Sequence, residues 1–279
     1  MPNFQKAAIE QYLCTGEHDP LFRAWAGETF TARARQGDLA LRAALIALVK
    51  SRTGRAPVPQ ELANLDVLSF ARTKVGPMVR GFFPKAEQQS VLDVLARSFV
   101  FLTPATIEPV LNQSPFLMTA WNLSNLYLAS CGSKPLSEDA PTLVGLSEET
   151  TCYVSMAYFK PSGQFDDFVV HEAAHIFHNC KRQKIGLPAT RHREWLLEID
   201  FGKRETCEAY SRIVELGNST PVRRKLLLEM ENGPMPPDQR VDVREYIDVL
   251  SEAVAVRNGW KRILERCSPP PKKRMSSQG

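Results

Sequence analysis

The chain has 279 residues, 43% apolar and 24% charged, a balance that excludes a disordered or fibrous polypeptide and allows one large core or two modest ones. Its 35 basic and 31 acidic residues leave a formal charge of +4, part of it in the tail run Lys272-Lys273-Arg274, so bulk charge gives no footprint for a nucleic-acid partner. Six cysteines stand singly without a CxxC pair, which points to reduced thiols and away from a disulfide framework or a cysteine-rich metal knot.

Along the chain, the first twenty residues lack a basic stretch followed by an apolar run, the pattern of a signal peptide. The most apolar helical run, Leu39 to Val49, is too short to span a bilayer and carries Arg42, so a cytoplasmic chain without a membrane partner is expected. Helical spacing covers Asp38 to Lys50, closed by Gly54, Pro57 and Pro59. It returns from Lys85 through Phe99 and again from Ile107 to Asn112, ahead of Pro115. Residues 1–130 therefore read as a helical N-terminal region, ended by the turn-rich stretch Cys131 to Pro135.

Residues 131–268 read as a second region. Thr142 to Leu146 and Thr151 to Phe159 are rich in β-branched and aromatic residues and flank Ser147 to Thr150, the pattern of a β-hairpin closed by Pro161 and Gly163. Asp166 and Asp167 then place negative charge at the start of a helix. A basic loop is expected from Lys181 to Arg193. Helix resumes near Trp195 and, with a break at Gly202, runs on to Glu215, where Gly217 to Pro221 stops it. Further helices fit Val222 to Met230, Asp238 to Val256 and a short segment ending near Cys267. The proline-rich tail, residues 269–279, is expected to be disordered.

The helix after Asp167 reads Val169-Val170-His171-Glu172-Ala173-Ala174-His175-Ile176-Phe177-His178-Asn179. Positions i and i+4 share a helix face, so His171 and His175 can reach one metal ion, and Glu172 lies beside that ion, where it can take a proton from a bound water. Zinc is the metal such a set suits, one ion per chain, because it lowers the pKa of the water and polarises a substrate carbonyl. The neighbours are apolar, as a helix packed against a core requires. Thr151 to Phe159, as an edge strand, would pair with an extended peptide.

Strand, HExxH helix and later acidic helix in that order resemble the active-site half of a zincin metallopeptidase, over roughly residues 142–215. His178 stands at the glycine position and Lys181 at the third-histidine position of the extended metzincin motif, so the gluzincin branch is the better likeness. It implies a third ligand from a glutamate on a following helix. Glu208, followed by the small Ala209, fits that role, with Glu205 one turn earlier as the competitor. The resemblance also asks for an oxyanion donor, for which Tyr210 is put forward beside His192 and Arg193. It implies a mainly helical α+β protein with a small antiparallel sheet and a zincin-like core, hydrolysing a peptide or protein substrate.

Blander roles are set against these. His178 suits a supporting role near the metal and not ligation, Cys180 and Cys207 suit inert buried thiols, and the basic loop suits a solvated surface. Two rival functions follow: a non-proteolytic metal-binding regulatory or interaction protein on the same scaffold, and a nucleic-acid-associated regulator using the basic loop and tail.

Overall fold

The computed structural model describes residues 2–54, 56–140, 145–159, 167–189, 193–200, 203, 205–233, 235 and 241–268. The protein is mainly helical with a small three-stranded mixed sheet, an α+β architecture. In chain order the helices are α1 (Asn3–Thr15), α2 (Phe30–Thr53), α3 (Gln60–Ala63), α4 (Val67–Phe82), α5 (Lys85–Arg97), α6 (Ile107–Gln113), α7 (Leu117–Ser130), α8 (Phe168–Asn179), α9 (Glu205–Leu216), α10 (Thr220–Glu231), α11 (Val243–Ala255) and α12 (Gly259–Cys267). The strands are β1 (Phe99–Leu102), β2 (Gly145–Glu148) and β3 (Thr151–Ser155), and two 3₁₀ segments cover Met156–Phe159 and Arg182–Ile185.

Two compact units are assembled from separate stretches of chain. The first comprises Met1–Leu65, Val100–Leu146 and Tyr153–Pro161. Its central helix is α2, which packs against α1 and α7. It begins earlier than the apolar spacing suggests, because Thr29 caps it by accepting the Ala32 N–H. Gly37 lets the Phe22 and Trp25 rings lie where a β-carbon would stand, 2.3 and 2.6 Å from them. Arg42, buried on α2, pairs with Asp38 and donates to the Leu111 carbonyl and the Ser114 hydroxyl, so its buried guanidinium is hydrogen-bonded.

The second unit comprises Asp66–Phe99, Ser147–Cys152 and Ser162–Gly279, and it carries the motif helix. Here α8 packs against both α4 and α9, and α9 in turn packs against α10, α11 and α12. Phe177 of α8 sits against the rings of Phe82 and Phe83, and Trp260 of α12 stacks edge-on with Phe82 and Tyr210. Each large apolar side chain so buried stabilises by roughly 1.5–3 kcal/mol.

Several expectations change. Phe99 opens strand β1 instead of ending a helix, which makes the sheet three-stranded and mixed where a small antiparallel one was expected. The second hairpin strand stops at Ser155, because Met156 to Phe159 turn into a 3₁₀ segment whose Tyr158 and Phe159 pack on Phe101. Sheet order is β1-β3-β2, so β3 is the central strand with both backbone edges in the ladder, not an edge open to a peptide. Trp195 forms an isolated antiparallel bridge with Lys181, and α9 starts only at Glu205. Residues 142–144, Pro161, Gly163, Asp166, Gly202, Asp238 and the tail 269–279 lie outside the described residues.

Candidate metal centre

Asp167 starts α8. Its Oδ1 accepts the Val169 and Val170 N–H groups, both at 3.2 Å, so two of the orphan donors of the first turn are satisfied by one carboxylate. Val169, Val170, Ala173, Ala174, Ile176 and Phe177 then bury one side of the helix, which turns His171 and His175 together to another. At the far end the chain leaves in extended form at Cys180. The Phe177 carbonyl accepts from Leu197 N–H and the Cys180 carbonyl from Leu196 N–H.

The two histidine rings stand edge to face, with Nε2 of His175 3.0 Å from Nε2 of His171. On the other side of the His171 ring, Nδ1 is 2.7 Å from Glu208 Oε2 and 3.3 Å from Glu205 Oε2. Donor atoms of His171, Glu205 and Glu208 lie within 4.8 Å of one another, and His175 joins this group through His171. The four residues expected to hold a metal are therefore brought to one place by two adjacent helices. Glu205 and Glu208 face α8 together because they are one turn apart on α9.

Glu172 occupies a different face. It is 4% exposed, hydrogen-bonds Ser147 of β2, and its Oε2 has no hydrogen-bond partner among the described residues. Burial pushes its carboxyl up to about 7, against the pull of the His171 charge and the Ser147 hydroxyl. For His171, burial lowers the affinity for a proton, yet the hydrogen bonds and charges of Glu205 and Glu208 outweigh it and hold the ring at about 11. Glu208 is itself raised by burial, in opposition to His171.

Behind the cluster lies a charged network that sequence spacing does not reveal. The Asp167 N–H donates to Glu208 Oε1 at 3.0 Å, and Asp167 Oδ2 pairs with Lys74 of α4 at 2.9 Å and, more distantly, with Arg212 of α9. Lys74 and Arg212 both also bind Glu215. An aspartate ahead of an apolar helical run was a legible cap signal, whereas nothing local marks Lys74, 93 residues away.

Other expected participants stand elsewhere. Tyr210, two residues after Glu208, points to the other side of α9 and is buried against α11 and α12, its hydroxyl 3.4 Å from the Ala253 carbonyl. Arg193 approaches Glu87, which also accepts from the buried Arg182. His192 lies outside the described residues. His178, in the last turn of α8, is half-buried, and Cys180 and Cys207 are buried free thiols. Comparison with protein-family models, with curated proteins and with solved structures returns no match, so the reading of the site rests on its residues and their geometry.

Among the described residues, His171, Glu205 and Glu208 form a group whose donor atoms could hold a metal ion. His171 presents its Nε2 to His175 at 3.0 Å and its Nδ1 to the two carboxylates, so the imidazole pair and the acidic pair meet on opposite edges of one ring.

Proposed function

We propose that the protein is a zinc-dependent metallopeptidase of zincin type, in which His171, His175 and a glutamate of α9 hold the ion and Glu172 is the general base. The observation that carries this reading is the meeting of the HExxH face with the acidic face of α9: two Nε2 atoms 3.0 Å apart and two glutamates on the same ring. When bound, zinc supplies Lewis acidity to a water and to the scissile carbonyl.

The chain's own residues do the proton work. Glu172, poised near neutrality by burial, takes a proton from the attacking water as the oxygen bonds to the carbonyl carbon. It then returns that proton to the amide nitrogen as the carbon–nitrogen bond breaks, leaving an amine and a carboxylic acid that ionises by releasing its own proton to solvent. Ser147 holds the Glu172 carboxyl through a hydrogen bond, and the Asp167 cap fixes the end of α8 that carries both groups. A peptide substrate follows from the resemblance of the motif to peptidases, and pairing with a sheet edge would fall to β1 or β2, since β3 lies between them.

The test is hydrolysis of a peptide library by zinc-reconstituted protein beside Glu172→Gln. Cleavage that falls by about 10²- to 10⁴-fold in the variant supports general-base catalysis. A zinc-loaded wild-type protein that cuts no library, or a Glu172→Gln variant as active as wild type, contradicts it.

A further inference from the structure

We propose that a cleft in the second unit, built on residues 193–198 beside the Lys181–Trp195 bridge, binds a free α-amino acid with an apolar side chain. The site goes beyond the zinc reading and does not depend on it. The cleft has a volume of about 270 Å³, and Phe82 at the end of α4, Leu196, Leu197 and Leu264 of α12 give it an apolar wall. Arg193 and Glu198 line the same cleft. Clefts for drug-sized ligands run to roughly 300–1,000 Å³, so this one suits a smaller molecule. It stands apart from the paired histidines, because Phe82 packs on Phe177, which is two residues from His175 and so on the other side of α8.

Two charges of opposite sign face this cleft and are poorly matched within the protein. Arg193 approaches the carboxylate of Glu87, yet the buried Arg182 already donates to that group at 2.6 Å, and Arg193 stands off at 3.7 Å, beyond hydrogen-bond range. Two guanidinium groups thus share one carboxylate, and that of Arg193 makes no hydrogen bond among the described residues. Glu198 is exposed and forms no ion pair among the described residues. A zwitterion supplies what each lacks: its carboxylate accepts from the planar guanidinium and its ammonium donates to Glu198. An acid or an amine alone leaves one of the two charges unmatched. The apolar wall is firm before any ligand arrives, since the Leu196 and Leu197 N–H groups are tied to the Cys180 and Phe177 carbonyls at the end of α8.

The test is a titration of L-leucine into the full-length protein without added metal, so that coordination to an ion cannot imitate the site. Binding is followed by the indole ¹H–¹⁵N resonance of Trp195, which also lines the cleft and is assigned with Trp195→Phe. A saturable shift with a Kd of about 1 mM or tighter is expected for a ligand of this size. N-acetyl-leucine, which lacks the ammonium, and leucinamide, which lacks the carboxylate, should each bind about tenfold more weakly or worse. Arg193→Gln and Glu198→Gln alter exposed side chains outside the core, and each should weaken leucine by a similar factor. Leucine that leaves the resonance unmoved at ten times the expected Kd overturns the proposal. So do analogues that bind as tightly as leucine, or undiminished binding in either variant, since these remove the recognition of both charges.

Discussion

His171 and His175 bring their Nε2 atoms within 3.0 Å across one turn of α8, while the opposite edge of the His171 ring rests on Glu208. Without an ion, protons must settle this arrangement, and the glutamates hold His171 charged up to about 11. A cation can enter only as protons leave. Zinc affinity should therefore rise about tenfold per pH unit for each proton displaced through the neutral range. Calorimetric titrations in buffers of different ionisation enthalpy measure the protons released, and binding that is independent of pH contradicts the assigned donors.

Glu172 gives a second pH signature. In the metal-free protein its carboxyl, ordinarily at 4.5, is pushed up to about 7 by burial. Below 4.5 both folded and unfolded chains hold the proton and the folded state bears no charging cost. Between 4.5 and about 7 the unfolded chain ionises first, so stability drains with rising pH, by roughly 3 kcal/mol in all. Glu172→Gln should match wild type in urea unfolding near pH 4 and exceed it by up to that amount above pH 8.

Lys74→Met should destabilise the protein by about 2 kcal/mol in chemical denaturation, since it leaves the buried Asp167 carboxylate without its nearest cation. Arg212, at 3.8 Å, softens the loss. Because Asp167 also carries the donor to Glu208, hydrogen exchange at the start of α8 should quicken in the same variant.

Tyr210 and Gly259 form a packing pair. A β-carbon at Gly259 would lie 2.0 Å from the Tyr210 hydroxyl oxygen, so Gly259→Ala should cost about 3 kcal/mol. Tyr210→Phe removes a long hydrogen bond to Ala253 and the one its oxygen accepts from the Gly259 backbone, and should cost about 1–2 kcal/mol, with hydrolysis within about twofold of wild type. A loss of turnover in Tyr210→Phe of a hundredfold or more would return the hydroxyl to the chemistry.

The legible parts of this molecule are those whose cause is local. Asp167 followed by an apolar helical run marks the start of α8, and the i, i+4 spacing brings His171 and His175 together. Glu205 and Glu208 could be placed on the same helix as candidates, but choosing between them needs the direction of the His171 ring, which only the meeting of α8 and α9 fixes. Tyr210 misled because proximity in sequence to Glu208 is not proximity in space: two residues along a helix lead to the opposite side. The position of β3 between β1 and β2 depends on Phe99 opening a strand, and its apolar neighbours read equally well as the end of a helix. Lys74 belongs to the network through tertiary contact alone.

The most direct measurement is zinc per chain, by elemental analysis of protein purified without a histidine tag and reconstituted, beside His175→Ala. One zinc per chain in wild type and none in the variant is the predicted result. A wild-type chain that holds no zinc, or a His175→Ala chain that holds as much as wild type, contradicts a metal centre built on the paired histidines of α8.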